Sequence, residues 1–303
     1  MFYSKYLGYK MSLSFNKKYT QVVKITDLMD KYDLFLFDLW GVLLESSSLY
    51  DGAAEVVNNI VSKKKVLFVS NTSQNNEDTC KKFQDYGLNV KEEMFMTAGE
   101  LAQRILKYPK DYFNVGQPVV YNFGQEHHTT LWTKYNFSTT TDISSANLLA
   151  ISLCSLDKEL NSETQEIFHI AIKNKVPAIC TNNDRIAPAG NGDTLYCAGW
   201  FAEEYEKMGG KVTYCGKPFA NIFEEALKVH PQVSKNKMVM IGDSLATDVK
   251  GAKNIGIDSA LVLTGNMHTV LRGAKNDQEK FELIEKHCGQ NQIYPTHLIK
   301  LSL

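Results

Sequence analysis

The chain has 303 residues, a length that predicts either one large domain or two domains of ordinary size. Hydrophobic residues make up 44% of it and charged residues 22%, which is typical of globular proteins and excludes a disordered or collagen-like chain. Its 33 basic and 34 acidic side chains leave a net charge of −1, without the clustered basic excess of a nucleic-acid-binding domain.

The apolar runs and the cysteines predict the compartment of the protein. No apolar run approaches the roughly 20 residues of a membrane-spanning helix, and residues 1–18 lack the apolar core of a secretory signal. The six cysteines are scattered without a C-x-x-C pair, a pattern typical of reduced thiols. We therefore expect a cytoplasmic protein without a nucleic-acid or membrane partner, and we leave open whether Met1 or Met11 is the start.

Strand-like apolar runs alternate with helix-like segments along the chain. Strands are predicted at residues 34–37, 66–69, 119–121, 148–153, 178–180, 211–215, 238–241 and 260–263. Helices are predicted at 53–61, 77–86, 162–174, 198–208, 221–229 and 246–255. A capping box, with Ser162 as N-cap and Gln165 three residues later, opens the third of these helices. This alternation predicts an α/β fold with a parallel sheet covered by helices.

Polar side chains follow three of the predicted strands. Asp38, Ser70 and Asp243 each stand at the carboxyl end of an apolar run. In an open parallel sheet, ligands bind beyond the carboxyl ends of the strands, so we expect these residues to converge on one site. The Gly-Lys-Pro segment at 216–218 adds an ammonium group before a helix. Carboxylates suit Mg²⁺, whereas an ammonium, a hydroxyl and helix N-terminal amides suit a phosphoryl group.

Four motifs in order along the chain resemble those of the haloacid dehalogenase superfamily. The first is Asp-Leu-Trp-Gly-Val-Leu, which begins at Asp38, and the second is Ser70-Asn71. The third is Gly-Lys-Pro around Lys217, and the fourth is Gly-Asp-Ser-Leu-Ala-Thr-Asp at 242–248. Each motif alone is a weak signal, but four in order, each at the end of a strand-like run, are a strong one.

The long stretch between the second and third motifs resembles a class II cap. With Thr97-Ala98 and the Thr-Asn-Asn-Asp loop at 181–184, the chain is similar to subfamily IIA, which contains nitrophenylphosphatase-like and nucleotide- or sugar-phosphate phosphatases. The resemblance extends from about residue 33 to about residue 265. It implies a Rossmann-like core made of residues 1–99 and 212–303, with an inserted α/β cap at 100–211.

The resemblance implies catalytic roles for two residues. Asp38 corresponds to the nucleophile that accepts the phosphoryl group as an aspartyl-phosphate. Lys217 corresponds to the lysine that neutralises the nucleophile and the transferred group. Ser70 and the Asn71 amide would bind the phosphate oxygens. Such chemistry depends mainly on positioning and charge neutralisation.

The resemblance also implies a Mg²⁺ site. Its ligands would be the carboxylates of Asp38 and Asp243 and the backbone carbonyl of Trp40. Asp248, with Ser244 of the same motif, would support the water ligands of the metal, or Lys217, from outside the ligand set.

Trp40 departs from the family pattern. The phosphatases of the family carry a second aspartate two residues after the nucleophile, which acts as general acid for the leaving group. Indole only donates hydrogen bonds and does not exchange a proton near neutral pH. General acid–base catalysis is worth roughly 10²–10⁴ in rate, so phosphate and metal binding are better supported than fast turnover.

The predicted cap loop at 182–185 is the candidate for recognising the remainder of the substrate. Asn183, Asp184 and Arg185 are its candidate contacts, and a solvated Arg185 fits the sequence equally well. If another residue replaces Trp40 as the general acid, Asp184 is the first candidate.

The sequence as a whole predicts a Mg²⁺-dependent phosphatase of small phosphorylated metabolites, slow if nothing replaces the missing acid. Two alternatives stay open. Dehalogenases of the superfamily also place an aromatic residue at the position of Trp40, although the motif at 242–248 and the class II cap argue against that activity. A chain that lost turnover would instead be a phosphoester-binding or regulatory protein. The substrate is not specified, and exposed cap strands are compatible with a homodimer.

Overall fold

The computed structural model of the chain describes residues 20–125, 130–134, 136–157, 160–188 and 193–301. Both candidate start residues, Met1 and Met11, lie outside these ranges. The strands are β1 (Thr20–Lys24), β2 (Leu34–Phe37), β3 (Leu44–Glu45), β4 (Ser48–Leu49), β5 (Lys65–Ser70), β6 (Phe95–Thr97), β7 (Val119–Phe123), β8 (Ser138–Thr140), β9 (Leu148–Ile151), β10 (Ala178–Cys180), β11 (Ile186–Pro188), β12 (Thr194–Tyr196), β13 (Val212–Tyr214), β14 (Met238–Gly242), β15 (Asp258–Val262) and β16 (His297–Lys300).

The helices alternate with these strands. They are α1 (Ala53–Val61), α2 (Asn76–Asp85), α3 (Ala98–Leu106), α4 (Pro109–Phe113), α5 (Thr130–Thr133), α6 (Ser162–Lys173), α7 (Ala198–Lys207), α8 (Ala220–Leu227), α9 (Lys250–Ile255), α10 (Gly265–Val270) and α11 (Asp277–Asn291). A π-helical turn, Leu245–Val249, runs directly into α9. Of the helices in the described ranges, none has both the length and the hydropathy of a bilayer span.

The larger sheet confirms the predicted parallel α/β architecture. Within the described residues it contains seven strands in the order β1-β16-β15-β14-β2-β5-β6, and every neighbouring pair is parallel. Strand β2 lies between β14 and β5, in registers that align Phe37 with Ile241 on one side and with Phe68 on the other. The residues that follow these three strands therefore meet at one edge of the sheet.

Strand β2 shows how this sheet acquires two apolar faces. Phe35 and Phe37 pack in a cluster with the buried side of α1 and α2, whereas Leu34 and Leu36 belong to a cluster on the opposite face, with α3 and α8. Successive side chains of a strand point to opposite faces, so a sheet covered on both sides requires a continuous apolar run. The second cluster continues into the smaller sheet through residues such as Trp132, and the two sheets thus share buried contacts.

The smaller sheet is also parallel, with the described strands in the order β13-β10-β9-β7-β8. Helices α6 and α7 cover one of its faces, where Phe123, Phe168 and Tyr205 pack against one another. Strand β13 pairs with β10, so this sheet extends to Tyr214, beyond the predicted cap boundary at residue 211.

The capping prediction for α6 was wrong by one residue. Asn161 is the N-cap, and its side chain accepts a hydrogen bond from the backbone N–H of Thr164 at 2.8 Å. Asparagine and serine are both favoured at this position, so sequence alone does not decide between neighbours. Ser162 is consequently the first residue of the helix.

Candidate active site

A buried lysine lies between two carboxylates beyond the carboxyl ends of β2 and β14. Lys217 Nζ donates to Asp38 Oδ1 at 2.6 Å and to Asp248 Oδ1 at 2.7 Å. Oxygen atoms of Asp38, Asp243 and Asp248 lie within 4.8 Å of one another. Among the described residues, these three form the group whose side chains could together hold a metal ion. Lys217 is 1% exposed and Asp38 is 9% exposed, so this ion pair is almost completely shielded from solvent.

The charges of this cluster do not balance. Burial raises the pKa of Asp38 to about 7, against the opposing effect of the Lys217 ammonium. Burial and the Asp38 charge hold the pKa of Asp243 well above its ordinary value. The carboxylates of Asp248 and Asp38 raise the pKa of Lys217 although burial lowers it, so the ammonium stays charged. Three carboxylates thus face one ammonium, and a divalent cation with a preference for oxygen ligands fits the excess negative charge.

Two glycines make room for the Asp243 carboxylate. Gly41 and Gly265 have φ angles of +84° and +54°, and a Cβ on either would lie 2.0 Å from Asp243 Oδ2. Asn266 donates to the same oxygen from its backbone N–H at 2.6 Å and from Nδ2 at 3.1 Å. Gly265 and Asn266 are not among the site residues that the sequence predicts. They follow β15, so the strand-end argument applied to Asp38 and Asp243 would have found them.

Asp248 is held by the start of its own helical turn. Its Oδ2 accepts from the backbone N–H groups of Asp243 at 3.2 Å and Ser244 at 3.1 Å, which leaves Oδ1 for Lys217. Ser244 Oγ accepts from the Thr247 N–H at 3.3 Å and caps the turn. The two predicted supporting residues, Ser244 and Asp248, are therefore hydrogen-bonded to each other, and Asp248 is the one that contacts Lys217.

Asn71 links three parts of the site. Its Oδ1 accepts from the Lys217 N–H at 2.7 Å, and its Nδ2 donates to Asp184 Oδ1 at 2.9 Å. A Cβ on Gly216 would lie 2.4 Å from Asn71 Oδ1, so this close approach requires glycine there. Ser70, also buried, accepts from the Thr72 N–H at 3.3 Å. Of the two predicted phosphate-binding residues, Asn71 thus contacts the lysine loop, and Ser70 precedes Asn71 at the end of β5.

The cap loop contributes two of its three predicted residues. Asp184 joins the site through Asn71, and burial raises the pKa of its carboxyl. Asn183 is buried, and neither its Nδ2 nor its Oδ1 has a hydrogen-bond partner among the described residues. Its Cγ would lie 3.1 Å from a Cβ on Gly216, so the amide lies against the lysine loop. Arg185 instead forms an ion pair with Glu203 at 3.0 Å, and its side chain is 55% exposed.

The Trp40 side chain packs against the hydrophobic core beside the site. It is half-buried and packs against the cluster that contains Phe37, and Lys82 Nζ is 5.0 Å from its ring centroid. That its backbone carbonyl ligates a metal stays a prediction.

Comparisons with known proteins show the family of the chain. The family model for haloacid dehalogenase-like hydrolases matches residues 35–138, and the HAD-hydrolase-like model matches residues 214–284. The 4-nitrophenylphosphatase of Schizosaccharomyces pombe is 27% identical over 82% of this chain and 89% of that protein. The ribonucleotide monophosphatase NagD of Escherichia coli is 28% identical over 75% of this chain and 86% of that protein.

A solved structure shows the same fold. The possible sugar phosphatase from Cytophaga hutchinsonii superposes with a TM-score of 0.73, over 92% of this chain and 98% of that one, at 22% identity. The segments matched by the two family models include β5, β6, β14 and β15 of the larger sheet, and they contain the motifs that supply Asp38 and Lys217. The chain therefore belongs to the haloacid dehalogenase superfamily of hydrolases, and its relatives support the assignment to subfamily IIA.

Proposed function

We propose that the protein is a Mg²⁺-dependent cytoplasmic phosphatase of small phosphorylated metabolites that acts through covalent catalysis at Asp38. The observation that carries the proposal is the carboxylate of Asp38, held at 2.6 Å from a buried lysine beside two further carboxylates. The relatives named as phosphatases of nitrophenyl phosphate and of ribonucleotides support the same reaction class.

In this proposal, an Asp38 carboxylate oxygen attacks the phosphorus atom and the bond to the leaving oxygen breaks with its electron pair. The product is an aspartyl-phosphate, from which water releases inorganic phosphate and restores the carboxylate. Lys217 reduces the repulsion between Asp38 and the anionic phosphoryl group, because its ammonium is already hydrogen-bonded to the nucleophile. Asp248 keeps that ammonium charged and in place.

The carboxylates of Asp38 and Asp243, with the carbonyl of Trp40, would hold the cation. When bound, Mg²⁺ supplies positive charge to the phosphoryl oxygens. Asn266, Gly41 and Gly265 orient the Asp243 carboxylate from outside this ligand set.

Asn183 is the residue that we propose to contact the substrate from the cap. A buried amide without a partner costs about 1–3 kcal/mol, and such groups in native proteins call for an explanation. The amide lies against Gly216, beside the lysine that faces the nucleophile, so a bound phosphate monoester would supply the missing partner. Asp184, next in the loop, would face the same ligand with a carboxyl whose pKa burial raises.

The test is a panel of phosphate monoesters presented to the full-length protein with Mg²⁺ and with EDTA. Phosphate release that requires the metal, and that Asp38→Asn abolishes while the circular dichroism spectrum is retained, is the expected result. Asparagine keeps the shape of the side chain but lacks the anionic oxygen.

The two alternative functions give different results in the same experiment. Halide release from a 2-haloacid without metal would identify a dehalogenase. Saturable phosphoester binding without product would identify a binding protein, the outcome that Trp40 favours if no other residue protonates the leaving group.

A further inference from the structure

Two cysteines lie opposite each other on neighbouring extended segments, one after β9 and the other directly after β12. Ser155 and Tyr196 form an antiparallel bridge in which each backbone N–H donates to the carbonyl of the other, at 2.9 and 2.7 Å. Cys154 precedes Ser155, and Cys197 follows Tyr196. In an antiparallel pair, these two cysteines are therefore directly opposite each other.

The hydrogen bonds between Ser155 and Tyr196 show which kind of antiparallel pair Cys154 and Cys197 form. Because Ser155 and Tyr196 exchange both of their bonds, the next pair is a non-hydrogen-bonded one, in which Cα atoms lie about 4.5 Å apart. The Cys197 N–H is consistent with a non-hydrogen-bonded pair, because it donates to the Arg185 carbonyl at 2.9 Å, on the side away from Cys154. A disulfide spans Cα separations of about 4.4–6.8 Å, so the backbone already has the spacing of a bridged pair.

We propose that Cys154 and Cys197 are a reversible oxidation site, which hydrogen peroxide converts into an intramolecular disulfide. Cys154 is the partially exposed member and Cys197 is buried at 2% exposure. A peroxide molecule therefore reaches Cys154 first, and Cys197 is the resolving thiol beneath it. The proposal does not depend on the phosphatase activity.

The surroundings of Cys154 favour its thiolate. The Cys197 thiol donates a hydrogen bond to Cys154, which lowers the Cys154 pKa, and the Ala198 N–H at the start of α7 adds to the effect. Burial instead raises the pKa of Cys180 to about 12 and holds that of Cys215 well above its ordinary value. The thiolate is the reactive form, so these neighbours are poor competitors for the oxidant.

The chemistry balances in two steps. The Cys154 thiolate takes one oxygen atom from hydrogen peroxide, giving a sulfenic acid and hydroxide. The Cys197 thiol then attacks that sulfur, the S–S bond forms, and water leaves with the oxygen atom. Together, two thiols and one peroxide give one disulfide and two waters.

The bond would join the segment after β9 to the start of α7. That start also holds the cap loop, since the Cys197 N–H donates to the backbone carbonyl of Arg185 and the Gly199 N–H donates to the backbone carbonyl of Asp184 at 3.1 Å. Oxidation would therefore restrain the anchor of the loop that carries Asn183.

Thiol counting after peroxide treatment tests the proposal. The full-length protein, treated with peroxide and then denatured, should fall from six titratable thiols to four and recover six with dithiothreitol. Non-reducing peptide mapping by mass spectrometry should join the Cys154 and Cys197 peptides at two mass units below their sum. An unchanged thiol count, or a disulfide between other cysteines, would overturn the proposal.

Single variants test the order of the two steps. In Cys197→Ser, a sulfenic-acid probe such as dimedone should label Cys154, and in Cys154→Ser it should not label Cys197. Cys80→Ala, which changes a buried thiol of α2 in the cluster that contains Phe37, is the matched control and should still lose two thiols to oxidation. Labelling of Cys197 in Cys154→Ser would show that the roles are reversed and would contradict the assignment.

Discussion

Lys217 shows how a single charged residue is kept inside the protein. An isolated buried ammonium would lose its proton, but two carboxylates at 2.6 and 2.7 Å keep this one charged. Removal of the lysine would leave buried carboxylates without their compensating charge, which costs about 3–5 kcal/mol. Substitution of Lys217 would therefore confuse a loss of folding with a loss of catalysis. Asp38→Asn leaves the ammonium paired with Asp248, so it is the better probe of the chemistry.

Because Trp40 replaces the general acid, the rate of the proposed reaction should depend on the leaving group. If no acid protonates the leaving oxygen, it departs as an anion, and the rate should depend steeply on its pKa. Aryl and acyl phosphates should be hydrolysed, whereas sugar and other alkyl phosphates should be slower by about the 10²–10⁴ that general acid catalysis supplies. The measurement is kcat/KM across monoesters of graded leaving-group pKa in the wild-type protein.

A flat series, with the chemical step shown to limit the rate, would contradict this prediction. Asp184 would then be the first candidate for the proton donor, since burial raises its pKa and Asn71 connects it to the lysine loop. In that case Asp184→Asn should restore the steep dependence. Trp40→Asp should narrow the difference between aryl and alkyl phosphates if the steep series is observed.

At the scale of elements, the cap loop reaches the site because Asn71 bridges it to the end of β5. The backbone of the loop is fixed by its own neighbours, since the Asp184 N–H donates to Asn182 Oδ1 at 2.9 Å. A Cβ on Gly199 would lie 2.4 Å from the Asn183 carbonyl, so the start of α7 packs directly on the loop. This packing fixes the backbone that carries the Asn183 side chain.

Asn183→Ala should weaken substrate binding with little effect on stability. The wild-type amide has no described protein partner to lose, whereas a hydrogen bond to a charged ligand is worth about 1.5–3 kcal/mol. We expect KM to rise by about tenfold or more while kcat changes less, and the melting temperature to stay the same or rise. Steady-state kinetics and thermal unfolding check both parts.

Arg185→Ala is the matched control in the same loop. Its side chain is half-exposed and paired with Glu203, and an exposed ion pair contributes about 0–1 kcal/mol. A small change in KM is therefore expected. A large rise for Arg185→Ala, with none for Asn183→Ala, would assign substrate recognition to the arginine instead.

At the scale of the whole molecule, the carboxylate cluster couples folding to pH. The pKa of Asp38 is about 7 in the folded protein because of burial, against an ordinary value of 3.8. Between these two pH values, the folded protein holds a proton that the unfolded chain releases, so the stability of the metal-free protein falls as pH rises through this window. The raised pKa of Asp243 acts in the same direction.

The melting temperature of the EDTA-treated protein should therefore fall between about pH 5 and pH 8. Mg²⁺ binds the deprotonated carboxylates, so the rise in melting temperature on adding it should be larger at pH 8 than at pH 5. Differential scanning fluorimetry with and without Mg²⁺ measures both effects. Equal shifts of the melting temperature at the two pH values, or no shift, would mean that the cluster does not bind the cation. In Asp38→Asn, the melting temperature of the metal-free protein should depend less on pH.

The local sequence determined the elements whose signal is local. The apolar run at 34–37 is strand β2, the run at 178–180 is strand β10, and the helical stripe from 53 to 61 is α1. The positions of Asp38 and Asp243 at strand ends also predicted that the two residues would meet, and β2 and β14 are neighbours in the sheet. These predictions succeed because strand and helix periodicity are properties of a few consecutive residues, and parallel strands bring their carboxyl ends to one edge.

The tertiary structure alone decided which partners the side chains meet. Strand β16 enters the sheet between β1 and β15, and Asn266 reaches Asp243 from the loop after β15. Likewise, only the packing of α7 turned Arg185 toward Glu203 and left the Asn183 amide buried, without a partner in the part of the chain that the structure describes. Such contacts join residues far apart in the chain, so they depend on sheet order, register and side-chain packing, none of which a local pattern encodes.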